Sequence, residues 1–255
     1  MELPDDAVHI WVVNQADVYA SELERLALDW LQVAEQTRYQ RLVFDHHRRQ
    51  LLLGKWLTRT CLSEYVDRDP AAWEIQTSAH GKPELVTKQL DRPLCFNLSH
   101  SADCMVLAVC RHPQLGVDLE NASRERLVGK IADRFFAPTE VNALLALPEA
   151  QQLERFYDLW TLKEAYIKAR GLGLAIALDS FAFSFEDSKI SLAEYEIPSA
   201  ERLPWQIWQL LIDSPFKLAL AVQPVNPGKI SELRCFQRTG LTDKHEQAIS
   251  VLRQN

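Results

Sequence analysis

Two carboxylates spaced two residues apart, Asp118 and Glu120 in Gly116-Val117-Asp118-Leu119-Glu120, are the first side chains here that could do chemistry. Their apolar neighbours read as a strand, and alternate strand residues project to one side, so the two charges lie together. They repel each other unless a cation or a proton intervenes. Taken alone, such a pair is most often a solvated strand edge. A second group sits in WTLKEAYIK (160–168), where Glu164 and Lys168 share one helix face and Leu159, Leu162 and Tyr166 lie along an apolar one. Alone, that pair reads as a surface ion pair worth a few tenths of a kcal/mol. The third group is basic: Arg38, Arg41, Arg48 and Arg49, with His46 and His47 among them. The formal net charge is -7, so any anionic ligand must meet a local basic cluster of this kind. Two weaker signals are the turn Gly81-Lys82-Pro83 and the polar segment Asn97-Leu98-Ser99-His100-Ser101 after an apolar strand.

Hydrophobic periodicity predicts the elements that must position these residues. Residues 8–13 read as a strand, and 17–64 as a largely helical region. Short β segments follow over 73–77, 94–98, 104–110 and 115–120. Helices are expected over 123–135, 138–147 and 153–169, the last stopping at Gly171 as a C-terminal glycine. Residues 181–186, 190–197, 205–211 and 217–222 read as strands, with a possible further strand over 233–236. CMVLAVCRHP (104–113) and FKLALAVQPV (216–225) resemble each other. Each follows, at some distance, a helix rich in aromatic and basic residues, over 44–59 and 156–170. This predicts two related α+β halves, 1–113 and 114–255, with a ligand site in the cleft between them.

The remaining composition narrows the class. A chain of 255 residues, 47% hydrophobic and 25% charged, is that of an ordinary globular protein. Its acidity argues against nucleic acid or anionic membranes as partners. The five cysteines have no CxxC spacing, which predicts reduced thiols in the cytoplasm rather than a zinc site. No apolar run approaches ~18 residues, and the first residues are acidic where a secretory leader would be basic.

Order and spacing carry more than any single motif. GKP, FNLSHS, GVDLE, RFFAPTE and WTLKEAYIKARGLGL, in that order, resemble the surfactin-synthetase-activating class of phosphopantetheinyl transferases, from about residue 38 to 185. The resemblance implies a pseudo-twofold pair of halves on one chain, working as a monomer, that transfers 4′-phosphopantetheine from coenzyme A to a carrier-protein serine. It implies Mg2+ held by Asp118, Glu120 and Glu164. It implies coenzyme A contacts from Lys82, Pro83, Ser99, His100 and Lys168, and a 3′-phosphate contact from one of Arg38, Arg41, Arg48 and Arg49. Catalysis would rest on Glu164 as base or metal ligand, with Lys168 and His100 neutralising charge. The stripe Arg126, Lys130 and Arg134, beside Leu127, Ile131 and Phe135, reads equally as a site for an acidic carrier or as the solvated edge of an amphipathic helix. Two other readings are a different Mg2+-dependent phosphoryl-transfer or hydrolytic enzyme, and a non-catalytic coenzyme A-binding or carrier-binding module. The helix motif at its position after GVDLE argues against the first, and the filled charged positions against the second.

Overall fold

The apolar run at residues 8–13 forms the middle of β1 (Ala7–Asn14) in the computed structural model, which describes all residues except 87–89, 196, 199–201, 213–214 and 226–227. The expected helical region divides into α1 (Ala20–Ala27), α2 (Val33–Arg41) and α3 (Asp45–Ser63). A hairpin of β2 (Ile75–Thr77) and β3 (Pro83–Leu85) carries Lys82 on its connection. Then come β4 (Cys95–Ser101), β5 (Cys104–Cys110) and β6 (Gln114–Asn121). Helices α4 (Val128–Phe135), α5 (Pro138–Leu145) and α6 (Glu149–Arg170) follow. The remaining strands are β7 (Phe181–Glu186), β8 (Lys189–Glu194), β9 (Gln206–Leu211), β10 (Phe216–Gln223), β11 (Glu232–Thr239), β12 (Asp243–Gln247) and β13 (Ser250–Gln254).

The fold is α+β with two similar halves, each a sheet crossed by a long helix. The five-stranded sheet has the order β12-β11-β1-β5-β4, and the six-stranded sheet the order β6-β10-β9-β13-β8-β7. Helix α3 lies in the first core with Trp11, Trp56 and Phe96, and α6 in the second with Phe156, Tyr166 and Ile207. A third apolar layer joins the sheets, with Val8, Ile10 and Val106 on one side and Val117, Leu119 and Leu220 on the other.

Beyond the expected division at residue 113, one late segment returns to the first half. β11 pairs in parallel with β1, and β12 extends that sheet, so the end of the chain crosses back onto the first half. The reason is physical: β11 covers the main-chain groups that the edge of the almost wholly apolar β1 would otherwise leave open. The helix expected over 123–135 starts only at Val128. Asn121 Oδ1 accepts from both the Ser123 amide and hydroxyl, and Tyr157 holds the Arg124 carbonyl, so residues 121–127 form a turn. α6 ends as expected at Gly171, whose φ of 67° is left-handed.

A fully buried histidine gives the first core its own acid sensitivity. His9 is 0% exposed, Nδ1 lies 2.9 Å from the Tyr65 hydroxyl, and Nε2 has no partner among the described residues. Burial, then the Arg234 charge, lowers its pKa to about 4 from 6.5. The unfolded chain therefore binds the extra proton between those values, and stability falls as pH drops through that window. Replacing His9 by Leu is expected to flatten the acid limb of a stability-versus-pH curve by about 2 kcal/mol between pH 7 and 4. Denaturant titrations at both pH values measure it.

Candidate active site

Strand β6 brings Asp118 and Glu120 to the face on which α6 packs. The approach is close because Gly116 has no side chain: a Cβ there would lie 2.0 Å from the Ala165 carbonyl oxygen and 2.4 Å from the Ala169 nitrogen. Ala165 and Ala169 flank Glu164 and Lys168, so this contact sets the two functional helix residues against the acidic strand.

Lys168 does not pair with Glu164. Its Nζ donates to Asp118 Oδ1 at 2.7 Å, to Ser99 Oγ at 2.9 Å and to the Val117 carbonyl at 3.2 Å. The surface i,i+4 ion pair that the sequence allowed is thus replaced by a cross-element one. Asp118 is buried, and its other oxygen, Oδ2, has no partner among the described residues. Burial, then the Asp118 charge, pushes both the Glu120 and Glu164 carboxyls above their usual range, with Lys168 acting against this. The two glutamates therefore hold protons more readily than free carboxylates.

The orphaned Asp118 oxygen and two glutamates raised by its charge are a donor set suited to a hard cation. Among the described residues, no group of three His, Cys, Asp or Glu is close enough to hold a metal unaided. These residues fit a Mg2+ ion that brings its remaining oxygen ligands with it, as that ion commonly does with phosphates and water.

The lysine of WTLKEAYIK that precedes Glu164 has a different task. Lys163 is 0% exposed, pairs with Glu140 at 2.7 Å and donates to the Leu178 and Phe181 carbonyls. Glu140 also accepts the Ala137 and Phe183 amides. RFFAPTE and WTLKEAYIK are therefore the two sides of one buried ion pair that holds α5, α6 and β7 together.

A cleft runs from this site across the first half. One cavity of about 280 Å³ includes Glu164, Lys168, His80 and Ile167. The next, of about 430 Å³, has an apolar floor of Leu42, Leu51, Phe96 and Met105 and a rim of Arg38, His47, Lys55 and His100. Pro83 and Leu98 line both. Burial, then Lys168, lowers the pKa of His100, so its ring is neutral at neutral pH. Lys55 was not singled out in the sequence; it joins Arg38 and His47 on this rim only once α2 and α3 fold against each other. Lys55 pairs with Glu35 at 2.5 Å.

Several of the expected ligand contacts have protein partners of their own. Arg49 donates to the Gln15 and Val18 carbonyls, both at 2.6 Å, where the turn before α1 brings those oxygens together. Arg48 bonds Asp45 and lies over the Tyr39 ring, while Arg41 is exposed outside the cavity. Of the four arginines, Arg38 lines the cleft. Lys82 lines the smaller cavity, while its Nζ donates to the Pro113, Leu115 and Ala169 carbonyls at 3.3, 3.1 and 3.3 Å, where the connector and the end of α6 converge. Ser99 is buried, and its hydroxyl donates to Asp118 while accepting from Lys168 and the Leu119 amide. Arg126 touches the Tyr157 hydroxyl at 3.4 Å, and with Leu127 and Lys130 it lines an open groove beside the start of α6; Arg134 lies over the Phe135 ring.

A cleft with Glu164 and Lys168 at one end, beside the buried Asp118, and a basic rim at the other is an enzyme-like site suited to a phosphate-bearing ligand. The family model "4'-phosphopantetheinyl transferase superfamily" matches residues 114–221, and "4'-phosphopantetheinyl transferase, N-terminal" matches 20–112. The chain is 33% identical to 4'-phosphopantetheinyl transferase HetI of Nostoc sp., over 87% of this chain and 90% of that one. It is 35% identical to 4'-phosphopantetheinyl transferase Sfp of Bacillus subtilis, over 73% and 79% respectively. The chain belongs to the 4′-phosphopantetheinyl transferase family.

Proposed function

We propose that this protein transfers 4′-phosphopantetheine from coenzyme A to a serine of an apo acyl or peptidyl carrier protein, with Mg2+, releasing adenosine 3′,5′-bisphosphate. The observation that carries this reading is the placement of Glu164 and Lys168 against Asp118 and Glu120, at one end of a cleft whose other end is rimmed by Arg38 and His100. When bound, Mg2+ supplies charge neutralisation at the diphosphate oxygens, and Asp118, Glu120 and Glu164 would hold it. Arg38 grips the 3′-phosphate, with His100 as a hydrogen-bonding partner. The apolar floor beneath them shields the bound substrate from water. Glu164, its pKa raised by burial and by Asp118, takes the proton of the carrier serine as that oxygen attacks the β-phosphorus. Lys168 orients Asp118 until the substrate's own charges arrive. Because all three ammonium hydrogens have protein acceptors, its contact with phosphate requires leaving one of them.

The carrier docks beside exposed Leu127, which is 69% accessible, with Arg126 and Lys130 facing its acidic surface. The protein works as a monomer, since both walls of the cleft come from one chain. No helix among the described residues is long and apolar enough to cross a membrane, and the five cysteines form no disulfides, in keeping with work in the cytoplasm.

Arg38→Ala is expected to raise KM for coenzyme A roughly 10- to 100-fold, the scale of a charge-assisted contact of about 1.5 to 3 kcal/mol. KM for dephospho-coenzyme A, which lacks the 3′-phosphate, should change less than about threefold. Equal losses with both substrates would remove Arg38 from that role. The function itself is tested by mass spectrometry of an apo carrier incubated with coenzyme A and Mg2+. The gain of one phosphopantetheine supports it, and an unmodified carrier with coenzyme A still bound would leave a binding module instead.

A further inference from the structure

The two sheets meet edge to edge at β4 and β6, and no main-chain ladder joins them there. Side chains do the bonding. Asn97 Oδ1 accepts the Val117 amide at 2.9 Å, Ser99 Oγ the Leu119 amide at 3.2 Å, and Ser101 Oγ the Asn121 amide at 2.9 Å. These are alternate residues of each strand in constant register, so every outward amide of this stretch of β6 meets a polar side chain of β4. Buried amides left without a partner are costly, which explains why an otherwise apolar hairpin carries Asn, Ser and Ser on this one face. The two serines do a second thing. Ser99 passes its own hydrogen to Asp118 Oδ1 at 3.0 Å, and Ser101 passes its hydrogen to Glu120 Oε2 at 3.2 Å.

We infer that Ser101 is a positioning residue for Glu120: one hydroxyl is fixed by the Asn121 amide and, so fixed, orients the carboxylate that would hold the cation. Asn97 is the rung of the same ladder that touches no carboxylate. The first half of the molecule thus contributes to the acidic site of the second without supplying a charged ligand. An acidic pair that faced solvent without these rungs would sample several rotamers and bind a cation less tightly, since groups behind metal ligands commonly matter about 10- to 100-fold in affinity.

This inference rests on the Mg2+ reading above. Its test uses the full chain with saturating coenzyme A and no carrier, following melting temperature as Mg2+ is titrated. Ser101→Ala is expected to move the Mg2+ midpoint up about tenfold, and Ser101→Thr, which keeps the hydroxyl, to leave it within about twofold of the parent. Asn97→Ala, which removes a rung but no carboxylate contact, should lower the melting temperature with the midpoint unmoved. An unshifted midpoint in a folded Ser101→Ala protein overturns the inference, and so does an Asn97→Ala shift as large as that of Ser101→Ala. If instead the parent protein shows no Mg2+-dependent melting and no Mg2+-dependent transfer, the metal reading itself fails, whatever the variants do.

Discussion

Gly116→Ala is expected to yield a protein that fails to fold or unfolds at least about 3 kcal/mol more readily, because the added methyl overlaps main-chain atoms of a packed helix. The neighbours are the Ala165 carbonyl oxygen at 2.0 Å, the Ala169 nitrogen at 2.4 Å and the Ala169 Cα at 3.0 Å. None is the far end of a flexible side chain. Relief requires α6 to move off β6 by roughly 1 Å, and dispersion contacts decay steeply over that distance. Any fraction that folds carries Glu164 and Lys168 away from Asp118, so transfer should fall further than folded content alone accounts for. Gly129→Ala is the control: a Cβ there meets only the Leu145 Cδ2 at 4.0 Å, inside a helix that favours alanine. Thermal unfolding of both variants, with transfer measured per folded molecule, decides the matter. A Gly116→Ala protein with parental stability would mean that α6 does not approach β6 this closely.

Glu164→Gln is expected to lower transfer by roughly 10² or more while leaving the fold and coenzyme A binding in place, the usual scale for a lost general base. Glutamine keeps the length of the side chain and its helix propensity but cannot accept a proton. In the parent, burial and the Asp118 charge hold the Glu164 carboxyl above the usual carboxylate range. In the metal-free protein its base form is therefore lost as pH falls through that raised value; bound Mg2+ would move this acid limb to lower pH, and Glu164→Gln should lack it. Restoration of transfer by high Mg2+ would identify Glu164 as a metal ligand, and a loss that Mg2+ cannot restore identifies it as the base. Calorimetry for coenzyme A and mass spectrometry of the carrier on one preparation separate binding from turnover. Transfer at the parental rate would show that the carboxylate is a bystander on α6.

Local information was enough for much of this molecule. The strands over 104–110 and 181–186 fall where the apolar runs predict, and α6 ends at Gly171, because period, β-branching and a left-handed glycine are properties of neighbouring residues. The acidic pair of β6 and the Glu164–Lys168 face of α6 were legible for the same reason, and their order along the chain marked the family. β12 and β13 were not legible: Asp243–Gln247 and Ser250–Gln254 are polar or mixed, and pairing with β11 and β9 makes them strands. Residues 123–127 have a helical composition, yet the Asn121 turn and Tyr157 hold them out of α4.

The largest gap concerns which partner each charged or polar side chain takes. Sequence spacing offered Lys168 to Glu164, and the family resemblance offered Lys82 and one of four arginines to coenzyme A. Tertiary structure gives Lys168 to Asp118, Lys82 to three carbonyls and Arg49 to two more, and leaves Arg38 on the cleft. A long cation goes where unsatisfied oxygens converge, and that convergence arises between segments tens of residues apart. Asn97, Ser99 and Ser101 make the same point from the neutral side. Their types were visible as a polar break in an apolar strand, but their role as rungs to Val117, Leu119 and Asn121 exists only because two sheet edges come to lie side by side.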